Sequence, residues 1–386
     1  MKKTSNHLYL AILLASLTSV GPMGIDTYIP SIPDIAKSFY TSIEKVELSL
    51  SIFLIGLSFG QIFGGPISDN YGRKKSSIIG LLGFSFFSFL IIFSQSIYEV
   101  WIYRFFEAFF GGIVLINTSA VVRDKFKGNE AAKMFSIIGT ARSIAPLIAP
   151  AIGAFIIHFF SWKVVFVFLT IYPLILVFLV SKKLEESFTF VKQDVFNSFK
   201  EVITHKIAMK PMITLGISFS GFFILITKSS FIFIEYFKIS TDYFPLYFSF
   251  SFIILILMTR INISLLKKFR IIFLIKFAIV VQILISVLMV LNYKDITLIQ
   301  TLIYMAIYMS MMAFIFGNTL AITMEYFPKN AGVASSVSGV LQFGLAAIIT
   351  SIVINFHDET LLSIFLSTAI LSLISYFIII KYKEEN

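Results

Sequence analysis

Three ionisable side chains, Asp26, Arg104 and Glu107, lie inside long apolar stretches of the chain. A charge in the middle of a bilayer costs about 2.5–3.5 kcal/mol on insertion scales, so such a side chain normally faces a cavity, has a partner or is protonated. With a helix rise of about 1.5 Å per residue, Asp26 and Arg104 fall in the outer part of an apolar layer about 30 Å thick. They can therefore meet, and Glu107 shares a helix face with Arg104 because it lies three residues further on.

Such a trio can work as a proton switch. A nearby arginine favours the ionised form of a carboxyl group, whereas desolvation and a second carboxylate favour the protonated form. A bound substrate that alters these influences can expel or recruit a proton. We interpret Asp26 as the main protonation site, Arg104 as its modulator and Glu107 as a second or alternative proton carrier. The competing interpretation is a static buried ion pair that fixes the first membrane helix against the fourth.

Two further cations, Lys228 and Arg142, also lie within apolar stretches. Together with Asp26 they are candidates for substrate binding, since either cation could bind an anionic group. The alternative for Lys228 is a side chain that snorkels to the outer surface from near the end of its helix. Arg142 could instead pair with an acidic group of the protein.

Several kinds of chemistry have no basis in this sequence. The chain has no cysteine, which excludes disulfides, thiolate nucleophiles and cysteine-bound zinc. Neither a Walker A motif nor a G-x-S-x-G elbow is present, and no catalytic set is clustered. We therefore expect no enzyme activity, no metal and no cofactor. The four histidines lack metal-ligand spacing and are interpreted as interfacial: His7, His158, His205 and His357.

The elements that hold these residues are membrane-spanning helices. The 386 residues are 58% hydrophobic and 13% charged, against about a quarter charged in soluble proteins. Apolar runs of about twenty residues follow one another, and each is long enough to cross a bilayer. We expect an all-α polytopic membrane protein with twelve transmembrane helices, near 8–33, 46–67, 76–94, 98–121, 134–157, 164–181, 211–234, 243–259, 271–291, 297–323, 332–355 and 361–380.

The net charge of +10 follows the membrane topology. If the N-terminus is cytoplasmic, most of the 31 lysines and arginines fall in the inner segments, as the positive-inside rule requires. Both termini should then be cytoplasmic, and we expect no nucleic-acid partner. Lys2 and Lys3 before an apolar run also fit a signal peptide. We interpret the run as the first membrane helix, because it is long, carries Asp26 and leads into eleven more spans.

The longest polar segment, from Ser181 to Lys210, lies midway along the chain with six predicted spans on either side. Its apolar residues recur at helical spacing and predict an amphipathic helix on the inner membrane surface: Val191, Val195, Phe199 and Val202. This pattern predicts an N-terminal six-helix bundle over 1–181, a cytoplasmic linker over 182–210 and a C-terminal bundle over 211–386. Two such halves suggest a binding site between them.

The loop between the second and third spans carries the first family motif, "GGPISDNYGRKK". Its glycines allow a tight turn and close helix contact, while the acidic and basic residues can pair across helix ends. The loop resembles the signature G-x-x-x-D-R-x-G-R-[RK] of the major facilitator superfamily, with Asn70 in place of the usual arginine. The matching residues are Gly65, Asp69, Gly72, Arg73 and Lys74.

Other segments resemble drug:proton antiporters of the bicyclomycin/chloramphenicol-resistance (Bcr/CflA) type. They are "DTYIPSIPDIA" from Asp26, "RFFEAFFGG" from Arg104 and "FPKNAGVASSVSGVLQFGLAA" from Phe327. In the second of these, Glu107 stands for the usual glutamine and Ala108 for glycine. The segment "SIAPLIAPAIGAF" resembles the fifth-helix antiporter motif. There, the resemblance implies a bend that controls which side the cavity opens to, with Pro146 and Pro150 kinking the helix and Gly153 allowing close approach.

The resemblance implies two six-helix bundles in a bacterial inner membrane. It further implies alternating access around a central cavity and export of drugs or other amphipathic molecules in exchange for protons. We expect a monomer with no cofactor and the proton gradient as its energy source. Lys228 and Arg142 leave open an exporter of an anionic metabolite, such as a carboxylate siderophore. A non-transporting sensor on the same fold is a further alternative, which would tolerate the loss of Asp26.

Overall fold

The computed structural model describes the backbone of residues 2–126, 128–186, 195–327, 331–356, 360–380 and 382. Within these ranges it does not describe the side chains of residues 2–8, 123, 128–133, 135–137, 139–143, 195, 196 and 331. Every regular element in the described ranges is helical, so the predicted all-α fold is confirmed. The chain forms two compact units, Met1–Gln193 and Asp194–Asn386, and this division falls within the predicted linker.

In its described residues, the first unit contains eight α-helices and a short 3-10 turn at Ile29–Ser31. The helices are α1 (Lys2–Thr18), α2 (Val20–Asp26), α3 (Ile32–Ser38), α4 (Ile43–Tyr71), α5 (Arg73–Ile91), α6 (Ile97–Lys125), α7 (Gly128–Phe159) and α8 (Lys163–Lys183).

Over the part of the second unit that the structure describes, there are eight more α-helices and a π-helix at Phe231–Tyr236. The helices are α9 (Val195–Thr204), α10 (Lys206–Thr227), α11 (Phe244–Leu265), α12 (Ile271–Asn292), α13 (Leu298–Ser310), α14 (Met312–Tyr326), α15 (Ala331–Asn355) and α16 (Leu362–Ile380).

Each predicted span coincides with a helix or a broken helix. Among the described residues, ten helical segments are long and apolar enough to cross a membrane, and a bent pair, Tyr9–Thr18 with Val20–Ser38, makes an eleventh. The remaining predicted span coincides with α7, whose apolar part Ile144–Phe159 is shorter. The chain is therefore a multi-pass membrane protein.

The first span is broken, whereas its apolar run predicts one continuous helix. The axis bends by 41° between Tyr9–Thr18 and Val20–Ser38. Pro22 has no N–H to donate to the carbonyl of Thr18, so the helical hydrogen-bond pattern cannot continue there. Further prolines lie in the first turns of the 3-10 segment and of α3, where a missing N–H is tolerated. The break leaves Asp26 at the end of the short helix α2.

Glycines bring α4 and α6 into backbone contact. A Cβ atom added at Gly56 would collide with the carbonyl oxygen of Phe105, and one at Gly60 would collide with that of Phe109. Such backbone contact through small residues is typical of paired membrane helices. Because Phe105 adjoins Arg104 in the chain, this contact also sets the position of the charged residues on α6.

The predicted amphipathic helix of the linker forms over Val195–Thr204, and Val191 lies outside the described residues. Val202 is fully buried and Phe199 packs beside it, against a cluster that includes Ala208, Met212 and Phe327. Val202 and Phe199 on the apolar face of this helix therefore pack against neighbouring helices of the second unit. Their partners come from α10, which follows directly in the chain, and from the α14–α15 region, which is remote in sequence and gives no local signal.

Candidate functional site

The centre of the candidate site is an ion pair within α6. Arg104 and Glu107 are both fully buried, and the Arg104 Nη1 lies 2.8 Å from the Glu107 Oε2. The other carboxylate oxygen of Glu107 accepts a hydrogen bond from Ser88 Oγ on α5, at 2.7 Å. One helical turn separates the two charged residues, as the spacing predicts. Glu107 is therefore held by a charged and a neutral donor together.

Two aromatic rings lie against the Arg104 guanidinium. Its central carbon lies 4.7 Å from the ring centroid of Tyr28 and 4.1 Å from that of Phe53, within the range of cation–π attraction. The Tyr28 hydroxyl is in turn hydrogen-bonded to Ser49 Oγ at 2.8 Å. Within the described part of the chain, the Arg104 Nε and Nη2 have no hydrogen-bond partner. The guanidinium thus keeps two donors that its present contacts do not use.

Asp26 does not take part in that ion pair. Its side chain is only 4% exposed, and it makes no ion pair or side-chain hydrogen bond with any residue that the structure describes. The chain beyond α2 brings the ring of Tyr28 over Arg104, and Glu107 takes the salt bridge. The structure therefore separates the predicted trio into a pair, Arg104 and Glu107, and a separate buried carboxyl group.

The segment around Asp26 is packed closely on both sides. A Cβ atom at Gly24 would lie 3.0 Å from Phe53 Cζ and 3.1 Å from Phe84 Cζ. On the other side, a Cβ atom at Gly153 of α7 would collide with the carbonyl oxygen of Thr27. Gly153 thus allows the fifth-span helix to touch the backbone directly after Asp26.

The other predicted residues of the fifth span lie on the same helix. Pro146 and Pro150 are inside α7, which continues through both of them. The backbone of Arg142 also lies in α7, but its side chain is outside the described part of the structure.

The predicted signature loop forms a charged junction at one end of the first unit. Arg73 donates from Nη1 to Ser68 Oγ at 2.7 Å and from Nε to Asp124 Oδ2 at 3.0 Å, and it also pairs with Asp69. The turn itself is at Gly72, whose φ of 90° is a conformation that favours glycine. Gly65 is inside α4 with open space beside it, so the turn or close-contact role predicted for it is wrong.

Glu186, which the sequence patterns did not single out, completes this junction. Its carboxylate accepts hydrogen bonds from the backbone N–H groups of Arg73 at 2.7 Å and Lys74 at 3.2 Å. It therefore caps the N-terminus of α5 from the segment that follows α8. The available signal was weak: Asp124 and Glu186 are acidic residues among the basic residues at the ends of predicted spans.

Among the residues described in the second unit, Lys228 is the one buried charged side chain. It lies at the C-terminus of α10 and is only 2% exposed, with its Nζ 5.7 Å from the ring centroid of Phe231. The alternative prediction, that the Lys228 side chain snorkels to the surface, is therefore wrong.

Residues 14–351 match the sequence model of the Major Facilitator Superfamily. The chain belongs to this superfamily. Over 367 residues it is 27% identical to a bicyclomycin resistance protein homolog of Haemophilus influenzae, which covers 93% of this chain and 92% of that protein. Over 160 residues it is 28% identical to a chloramphenicol resistance protein of Pseudomonas aeruginosa, covering 41% of this chain and 38% of the other. The resemblance to Bcr/CflA-type exporters is thereby confirmed.

The fold is also that of solved members of the major facilitator superfamily. A partially occluded, inward-open structure of the xylose transporter XylE from E. coli matches with a TM-score of 0.79, at 15% identity and with 99% of both chains covered. At this identity the likeness concerns the fold alone. This superfamily member is therefore a membrane transporter of small molecules and not an enzyme.

Proposed function

We propose that this transporter exports drugs or other small amphipathic molecules in exchange for protons, by alternating access. The similarity to proteins named for bicyclomycin and chloramphenicol resistance supports the substrate class. The buried ionisable residues of the first unit support the coupling to protons. Such side chains are energetically costly inside a membrane protein and often belong to ion or proton pathways.

One observation carries the proposal. Asp26 is buried and, in the described part of the chain, forms no ion pair, whereas Glu107 is held by both Arg104 and Ser88. A proton can therefore join or leave Asp26 without breaking a salt bridge. Protonation of Glu107 would first have to weaken its bond to Arg104. Asp26 is thus the main protonation site of the proposed mechanism, and Glu107 the second carrier.

Arg104 links the proton to movement in this mechanism. When Asp26 is ionised, it is attracted to the two guanidinium nitrogens of Arg104 that have no hydrogen-bond partner among the described residues. Since Asp26 ends α2, a movement of the broken first span can bring its carboxylate towards α6. Loss of the proton then favours one arrangement of this span, and gain of the proton favours another.

The wider setting of the proposal follows the charge pattern and the family resemblance. The protein is placed in a bacterial inner membrane as a monomer, with both termini cytoplasmic, no cofactor and the proton gradient as its energy source. The signature loop, with Asp69, Gly72 and Arg73, and the Pro146–Gly153 part of α7 are proposed to control the conformational change.

Two other functions are kept as alternatives. Burial of Lys228 favours an exporter of an anionic metabolite such as a carboxylate siderophore, because a cation-exporting pump would be expected to avoid a buried lysine. A non-transporting sensor is the other alternative. It differs from both exporters in tolerating the replacement of Asp26.

Inverted membrane vesicles energised with a proton gradient test the proposal. Candidate drugs and carboxylate siderophores are added in turn, and discharge of the gradient is followed by a pH-sensitive dye. We expect a substrate to discharge the gradient with the wild type, and the Asp26→Asn variant to reduce this discharge to the level of vesicles without the protein.

Asp34→Asn is the matched control, because Asp34 is a partly exposed residue of α3 whose carboxylate lies 3.9 Å from the Lys37 ammonium. This variant should transport like the wild type. Absence of discharge across the whole panel, with the protein folded and inserted, would point to a uniporter or a sensor. Discharge that persists in Asp26→Asn would remove Asp26 from the mechanism.

A further inference from the structure

The second unit buries a positive charge at a break in a membrane-spanning helix. Lys228 ends α10, with its backbone N–H bonded to the Ile224 carbonyl at 2.9 Å, and its side chain is 2% exposed. All other buried polar residues that the structure describes in this unit are uncharged. An ionisable side chain inside a membrane-spanning segment is rare and usually marks a functional site.

Two buried hydroxyl groups flank this lysine. Thr227 Oγ1 and Ser230 Oγ have no hydrogen-bond partner among the described residues, and both side chains are fully buried. The intervening Ser229 differs, since its hydroxyl donates to the Ile226 carbonyl at 2.6 Å. Burying a hydroxyl group without a hydrogen-bond partner is energetically unfavourable. The two groups are therefore available to a bound molecule.

The two hydroxyl groups lie on one side of the helix. Thr227 and Ser230 are three residues apart and share a helix face, and Lys228 lies between them in the chain with a long, flexible side chain. The helix changes at this point from α to the wider π form over Phe231–Tyr236, a deviation that often marks functional sites. The ring of Phe231, 5.7 Å from the Lys228 Nζ, adds an apolar wall.

We infer that Lys228, Thr227 and Ser230 form a subsite for a carboxylate group of the transported substrate. The inference rests on the proposed function in one respect, that the protein binds a small molecule for export, but it does not require coupling to protons. One ammonium and two hydroxyl donors match the single charge and two oxygens of a carboxylate. A dianionic phosphate is normally held by several charges or by arginine forks, which this unit does not bury among its described residues. The substrate class is therefore an amphipathic monocarboxylate.

Matched pairs of compounds test this subsite, because the two members of each pair differ only in the charged group. The full chain is reconstituted in lipid nanodiscs, and its thermal stabilisation is titrated with three aromatic carboxylates and their primary amides. The pairs are 1-naphthylacetate and 1-naphthylacetamide, indole-3-acetate and indole-3-acetamide, and salicylate and salicylamide. A hydrogen-bonded charge should make the carboxylate of at least one pair bind roughly 10- to 100-fold more tightly than its amide.

Substitutions then assign the preference to the subsite. Lys228→Met should abolish it, and Lys228→Arg should keep most of it. Lys276→Met is the matched control, because Lys276 is a partly exposed lysine inside the spanning helix α12. If Lys228→Met does not fold, Thr227→Val combined with Ser230→Ala provides the test and should weaken the preference about tenfold.

The outcomes separate this inference from the proposed function. Asp26→Asn should lose discharge of the proton gradient but keep the preference for carboxylates. The subsite would be overturned if, in every pair, the carboxylate bound no better than its amide. It would also be overturned if the preference for the carboxylate were unchanged in Lys228→Met. Loss of the preference in Lys276→Met as well would also overturn it, since the effect would then follow from net charge alone.

Discussion

Replacing Glu186 by alanine should loosen the first turn of α5. Its carboxylate accepts the N–H groups of Arg73 and Lys74 at 2.7 and 3.2 Å, two of the four that a helix leaves without an internal partner. Loss of a capping side chain costs about 0.5–2 kcal/mol, and loss of a negative charge at a helix N-terminus costs about 0.3–1 kcal/mol. Since Glu186 is largely exposed, we expect a combined loss of about 1–2 kcal/mol.

Hydrogen exchange measured by mass spectrometry gives a local readout of this loss. A change of about 1–2 kcal/mol in the free energy of local opening speeds exchange roughly 5- to 30-fold. The faster exchange should be confined to peptides that cover the start of α5. Glu186→Gln keeps an acceptor oxygen but loses the charge, so its effect should lie between those of the wild type and Glu186→Ala.

Glu185→Ala is the matched control for the neighbouring residue. Glu185 lies 3.2 Å from Lys125, and its side chain is 89% exposed. Such surface pairs contribute about 0–1 kcal/mol, and this one does not touch α5. Equal exchange at the start of α5 in the Glu185→Ala and Glu186→Ala variants would refute the capping argument.

Two other substitutions probe the packing around the candidate site. Ser88→Ala removes a donor to the buried carboxylate of Glu107 and should cost about 1.5–3 kcal/mol, whereas Ser85→Ala, which removes a donor to a neutral carbonyl, should cost about 1 kcal/mol. Thermal unfolding of the two variants compares these losses of stability. Equal losses would contradict the ionised state assigned to the Glu107 carboxylate. Gly60→Leu should prevent α4 from closing on α6 and reduce the folded fraction in size-exclusion chromatography, while Gly65→Leu, in open space, should not. A well-folded Gly60→Leu variant would contradict the glycine contact.

The spans could be predicted from the sequence because a membrane sets the length of each apolar run. The pairing of Arg104 with Glu107 was also accessible, since three residues along a helix define a common face. These are local properties of the chain. The break near Ser19 is local too, but an apolar run reports length and hydropathy, and does not report whether the helix within it is continuous.

The contacts that could not be predicted join residues distant in the chain. Ser88 reaches Glu107 only because α5 and α6 pack in a particular register. Glu186 caps α5 across 113 residues, and no spacing rule connects such positions. The separation of Asp26 from Arg104 has the same origin, because it depends on how the broken first span turns after α2.

The cap supplied by Glu186 also imposes an order on biosynthesis. A ribosome releases Gly72 and α5 long before it releases Glu186, 113 residues after Arg73. During that interval the amide groups at the start of the third span must be satisfied by water or lipid headgroups. The N-terminal bundle can therefore reach its final form only after its sixth span has left the translocon, so a chain truncated before that point would remain in the membrane with this junction open.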